Sequence, residues 1–282
     1  MRHSLCQRSL SICGPLLLVA LVSLVSPTYA RDNASESITI RIRDSKQKIT
    51  MIPIRAGKVT TSADTRALCG TNGLPSRTVE VGFFWLASTE VTFDLWDHCV
   101  AEGGCKYSPE SPGWGRGQHP VNDISWDHAQ EFIDWLNRET GKRFRLPTSD
   151  EWEYAARAGL SLGKVRAAAS DIRKVNFKED SIRPPGKRKG ANDETTVRVG
   201  SLPANPWGLY EMAGNLWEWT SDCGCDHGYS TTSPGPAQKG CDSRMLRGGS
   251  YVSPANNATP TSRFQIWPWF NAAFTGFRVA MD

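Results

Sequence analysis

The sequence predicts an α+β domain in which irregular segments wrap a small sheet and two helices. Three observations carry this. Isoleucines alternate near the start, capping residues stand ahead of apolar positions at helical spacing, and much of the remainder is glycine, proline and aromatic residues. With 282 residues, 39% of them hydrophobic, the chain has ample material for a core.

Met1 to Ala30 has a basic start, an apolar run from Pro15 to Val25 and a Thr-Tyr-Ala ending, which together predict a signal peptide over 1–30. Residues 31–282 are then one exported domain, periplasmic or secreted, with no membrane span after cleavage, since the apolar run is short for a bilayer. The formal charge of +4 falls to +2 once Arg2 and Arg8 leave with the signal, a balance that does not point to nucleic acid.

Ile38, Ile40 and Ile42, then Ile49, Ile52 and Ile54, predict two strands joined by a turn over Asp44 to Lys48. Val79 to Leu86 predicts a third. Thr92 caps a short helix whose Phe93, Trp96 and Val100 share a face. Ser125 caps a longer one, with Ala129, Phe132, Ile133 and Leu136 on one side and Gly141 as its stop. Thr148 and Glu151 form a capping box that starts a helix over Ser149 to Ala158. Residues 160–198, with a basic run at 183–189, predict an exposed loop, and Gly224 to Lys239 another. Leu246 to Tyr251 and Phe277 to Ala280 predict short closing strands.

Six cysteines remain after export: Cys69, Cys99, Cys105, Cys223, Cys225 and Cys241. An even number in an oxidising compartment favours disulfides over a metal site at Cys223, Cys225 and His227. Glycines between Cys99 and Cys105 allow a local bridge, while Cys241 can close on Cys223 or Cys225, leaving the other for Cys69. His98, His119 and His128 are scattered and give no support for a hydrolytic triad or a zinc protease.

The densest stretch is Asn205 to Trp219, with three tryptophans, two glycines and the carboxylates of Glu211 and Glu218 in fifteen residues. A turn at Gly214 would bring those carboxylates and nearby backbone carbonyls around one hard cation, and calcium takes oxygen ligands of that mixed kind.

This stretch resembles the signature of the formylglycine-generating enzyme (sulfatase-modifying factor) family. Thr89 to Thr92, Pro120-Val121 with Ser125-Trp126, Arg145 to Thr148 with Glu151 to Arg157, Arg247 to Ser250, and Gly276 to Arg278 follow in the family's order, so the match is strongest over 80–282. The resemblance implies a compact domain of the C-type-lectin-like superfold with little regular secondary structure. It also implies that Glu211, Glu218 and the backbone oxygens of Gly214 and Leu216 hold a structural calcium ion. Asn215, Trp217 and Ser250 fall beside the family's substrate channel, and with Ser253 they are the catalytic candidates. Arg247 and Arg263 are candidates for contacting substrate.

In the resembled enzymes two cysteines bind copper(I), three and eight residues after the serine matched by Ser250. Ser253 and Ala258 stand at those positions, and neither offers the soft sulfur that copper(I) requires. No copper is therefore expected. Two classes of function follow. One is an oxidoreductase-like tailoring activity on a small molecule or peptide of the periplasm, as in the exported family member that matures the pyoverdine siderophore chromophore. The other is a non-catalytic protein whose cleft holds a peptide, glycan or partner enzyme.

Overall fold

The computed structural model describes residues 36–61, 76–111, 113, 115–161, 163–165, 175–177, 195–224 and 241–282. The stretch 1–30 expected to be a signal peptide, Cys69, Cys225, His227 and the 183–189 basic run lie outside them. In chain order the elements are β1 (Ile38–Arg41), β2 (Lys48–Ile54), β3 (Gly57–Thr60), β4 (Thr78–Val81), β5 (Phe84–Ala87), α1 (Phe93–Ala101), α2 (Trp126–Thr140), β6 (Phe144–Arg145) and α3 (Ser149–Arg157). β7 (Trp217–Cys223), β8 (Arg244–Arg247), β9 (Arg263–Ile266), β10 (Thr275–Gly276) and β11 (Ala280–Met281) complete the series.

Each helix starts where a hydroxyl takes an otherwise orphaned backbone donor. Thr92 Oγ1 accepts from Leu95 N at 3.4 Å. Ser125 Oγ accepts from His128 N at 3.1 Å, and His128 Nδ1 accepts in return from Ser125 N. Thr148 and Glu151 form the predicted reciprocal box. α2 ends at Gly141 in the left-handed conformation at φ 65°, the position glycine fills without steric cost.

The described residues form sheets of five, four and two strands, ordered β1-β2-β5-β11-β6, β10-β7-β8-β9 and β3-β4. The isoleucine rhythm works as predicted, with Ile40 opposite Ile49 in an antiparallel pair. Three strand predictions need correction. Val79 to Leu86 is two strands in different sheets: the chain breaks at Gly82 and Phe83, and β4 pairs with β3 while β5 pairs with β2. β8 ends at Arg247 because Gly248 and Gly249 have φ of 94° and 81°, outside strand geometry. Between β10 and β11, Phe277 and Val279 leave the ladder pattern, although their carbonyls accept from Val91 N and Ala87 N.

The main core lies around α1, α2 and the five-stranded sheet, where Phe132 stacks on Trp96 at 5.7 Å and meets Phe277 edge-on at 5.5 Å. A second apolar cluster gathers Phe84, Leu86, Trp152 and Met212 beside α3. Cys99 is bridged to Cys105, closing the end of α1, and Cys223 to Cys241, which resolves the alternative left open by the sequence. No helix among the described residues is long and apolar enough to cross a membrane.

Candidate functional site

The central stretch is held in shape by left-handed backbone at Glu211, Gly214 and Asn215, with φ of 48°, 75° and 59°. Gly214 has a specific reason to be glycine: a Cβ there would lie 2.0 Å from the carbonyl oxygen of Asn176. The same carbonyl accepts from Asn215 N at 2.8 Å, and Asn215 O accepts from Tyr251 N at 2.9 Å, so the loop is tied on both sides. The Asn215 side chain is fully buried and fully used. Its Nδ2 donates to Glu90 Oε2 at 2.7 Å, and its Oδ1 accepts from Val197 N at 3.0 Å. The loop hands over directly to β7, whose first residue, Trp217, leans on Phe264 at 5.7 Å.

Glu218 faces inward from β7 onto Arg278. Arg278 Nε and Nη2 donate to its two oxygens at 2.7 Å each, and Trp152 Nε1 donates to Oε2 at 2.7 Å. The remaining arginine donors reach the carbonyls of Ala87, Ser88 and Tyr210. Burial alone would lower the Arg278 pKa, but Glu218, Glu90 and Glu211 outweigh it and hold the guanidinium charged. Glu90 is driven well above the carboxylate range by burial and then by repulsion from Glu218 and Glu211. Glu211 is raised by burial, against the N–H groups of Gly200 and Leu202 that donate to its two oxygens.

These bonds test the calcium expectation for Glu211, Gly214, Leu216 and Glu218. Glu218 already accepts three protein donors and Glu211 two, so the carboxylate ends of the expected set are engaged within the protein. Arg278 supplies a positive charge to both carboxylates.

Ser250 and Ser253 lie against each other, with Ala258 packed behind Gly249. Ser250 N donates to Ser253 Oγ at 3.0 Å, and the two hydroxyl oxygens lie 3.2 Å apart. Ala258 is fully buried against Val175, Phe177 and Ala213. Gly249 permits this closeness, because a Cβ there would lie 2.6 Å from Ala258 Cα.

Arg247 and Arg263, the candidates for contacting substrate, do not face a cleft. They sit opposite each other on β8 and β9 and both donate to Glu153 Oε2, at 2.5 and 2.9 Å. Glu153 is fully buried on α3 and also meets Arg157 at 3.6 Å, while Arg247 lies 5.6 Å over the Trp152 ring. Their role is to hold the β8–β9 hairpin on α3. Sequence reasoning missed Glu153 and Glu90 as acidic members of the core. A signal existed for Glu153, which lies four residues after Ser149 and three before Ala156, on the buried side of α3.

Comparison with known proteins follows the same lines. Residues 39–282 match the family model for the sulfatase-modifying factor enzyme 1-like domain. The chain is 32% identical over 193 residues to a formylglycine-generating enzyme of Thermomonospora curvata, covering 62% of this chain and 60% of that protein. It is also 32% identical over 183 residues to the inactive C-alpha-formylglycine-generating enzyme 2 of Mus musculus, covering 61% of this chain and 53% of that protein. The match thus spans less than two thirds of either relative. The structure of PvdO from Pseudomonas aeruginosa superposes with a TM-score of 0.67 at 25% identity, covering 88% of this chain and 99% of that one. The chain therefore belongs to the sulfatase-modifying-factor family of formylglycine-generating-enzyme-like proteins.

Proposed function

We propose that this chain is an exported sulfatase-modifying-factor-like protein that works without the copper cysteine pair and modifies or oxidises a periplasmic metabolite or protein, siderophore chromophore maturation being one example. What carries the reading is the hydroxyl of Ser253 and the methyl of Ala258, at the positions that the resemblance matches to the copper-binding cysteines. The fold match to PvdO, over 99% of that chain at a TM-score of 0.67, supports a role like that of this neighbour.

A specific observation favours a second reading, a cleft that binds without catalysis. The polar ends of Asn215, Arg247 and Arg263 are engaged inside the protein, and among the described residues Ser250 Oγ meets the Ser253 hydroxyl rather than a base.

The first test is a Cys-x-Pro-x-Arg sulfatase peptide incubated with mature protein, copper and air. The expected mass spectrum shows no conversion to formylglycine, and turnover would overturn the assignment of Ser253 and Ala258. The second compares the exported metabolites of a strain with and without the gene. Accumulation of a precursor richer by two hydrogens supports an oxidative tailoring role; an unchanged profile, with a partner retained on the purified protein, supports the binding role.

A further inference from the structure

Trp267 and Trp269 are the most exposed large apolar side chains among the described residues, at 53% and 63%. Their rings are nearly parallel, 5° apart in plane and 5.4 Å between centroids. Exposed tryptophans cost solvation unless something covers them, and contiguous aromatic surface marks a contact site more often than scattered residues do.

The platform is held in place from below. The carbonyl of Pro268, between the two rings, accepts from Trp126 N at 2.9 Å and Asp127 N at 3.4 Å, and Phe270 N donates back to Trp267 O at 3.0 Å. Asn271 Nδ2 donates to Asp123 Oδ1 at 2.8 Å, and Asp123 N to Ala272 O at 3.0 Å. The tryptophan loop is therefore docked on the first turn of α2. From that turn Asp127, Glu131 and Asp134 recur at i, i+4 and i+7 along one side of the helix, with Asp127 and Asp134 exposed. None of the three forms an ion pair among the described residues, although the chain as a whole is basic.

We infer that the Trp267–Trp269 platform and the Asp127, Glu131 and Asp134 stripe form one docking surface for a basic, arginine-bearing segment of a partner protein. Indole faces attract cations, and a planar guanidinium stacks on them with little loss of hydration. The acidic stripe supplies long-range attraction and orientation for further positive residues. A neutral glycan would use the rings and ignore the stripe, whereas an acidic partner would be repelled by it. The surface does not depend on chemistry at Ser250.

The experiment is calorimetric titration of the mature protein with a tetra-arginine peptide at low and high salt, beside tetra-glutamate and the neutral sugar chitotetraose. Tetra-arginine is expected to bind and to weaken with salt. Trp267→Ser with Trp269→Ser should weaken it by roughly fivefold or more through loss of the cation–π faces. Asp127→Asn with Asp134→Asn should weaken it by about fivefold and flatten the salt dependence. Both pairs change exposed side chains, so unchanged circular dichroism is expected, and the charge variant stands as an independent arm if the tryptophan variant misfolds. Absence of tetra-arginine binding at low salt, wild-type affinity in either variant, or preference for chitotetraose would overturn the inference.

Discussion

Glu218 and Glu153 are both fully buried glutamates that pin a β-hairpin sheet to its surroundings, but they lie in opposite electrical settings. Glu218 shares one arginine, Arg278, with two more carboxylates, Glu90 and Glu211. Among the described residues Glu153 pairs with three arginines, Arg157, Arg247 and Arg263, and Asp222 acts on Arg247 from further off. A carboxylate can shed its charge by taking a proton, and Glu90 is pushed towards doing so. An arginine cannot lose its charge at any pH a protein meets. The acid-rich centre can therefore adjust, whereas the arginine-rich centre leans mainly on Glu153.

The largest expected effect follows from that dependence. Glu153→Gln should destabilise by about 3–5 kcal/mol in urea unfolding, as buried cations lose a shared partner. Glu218→Gln should cost less, about 2–3 kcal/mol, because Arg278 retains three carbonyl acceptors and its neighbouring acids. If the order is reversed, the charge comparison fails.

Trp152 sharpens the comparison, since its N–H serves Glu218 while its ring lies under Arg247. Trp152→Phe keeps an aromatic face under Arg247 but removes the donor and part of the buried indole, at about 2 kcal/mol. A double-mutant cycle between Glu153→Gln and Glu218→Gln should show coupling of about 0.5 kcal/mol or more through this residue. Strict additivity would mean that the centres are independent.

Next in size is a pH effect at Asp222. Burial, then repulsion from Asp150 and Glu151, raises it from 3.8 to about 6 although Ser149 N donates to it. The folded state therefore holds this proton more tightly than the unfolded chain. The resulting stability is complete below about pH 4 and is lost as pH rises through about 6. Asp222→Asn should remove that part of the pH dependence of the melting temperature.

The smallest expected effect is that of a chelator. With Arg278 as the balancing charge, EDTA should leave the melting temperature unchanged. A fall of several degrees that disappears in Glu218→Gln would assign the balancing charge to calcium.

Much of this fold is legible in the sequence because its signals are local. Thr92, Ser125 and Thr148 cap helices through residues three positions away, and Ile40 finds Ile49 across a short turn. The charged centres are not local. Arg278 lies 60 residues from Glu218, Arg247 94 from Glu153, and Arg263 110 from it. No periodicity reports such pairings, so Arg247 and Arg263 look from the sequence like groups awaiting substrate. The break at Gly82 and Phe83 is hidden for a related reason: both halves alternate correctly, and only the partner strands show that they belong to different sheets.

The hydroxyl–methyl pair at Ser253 and Ala258 sets an uneven path for anyone engineering thiols into these two positions. Ser253→Cys exchanges one atom at a site already bonded to Ser250, and should be tolerated. Ala258→Cys adds a sulfur to a closed wall of Val175, Phe177 and Ala213, with Gly249 pressed against its backbone, where overpacking costs about 1–3 kcal/mol. Retrofitting this scaffold as a copper oxidase therefore begins with making room behind residue 258, for which Val175→Ala is the natural first step.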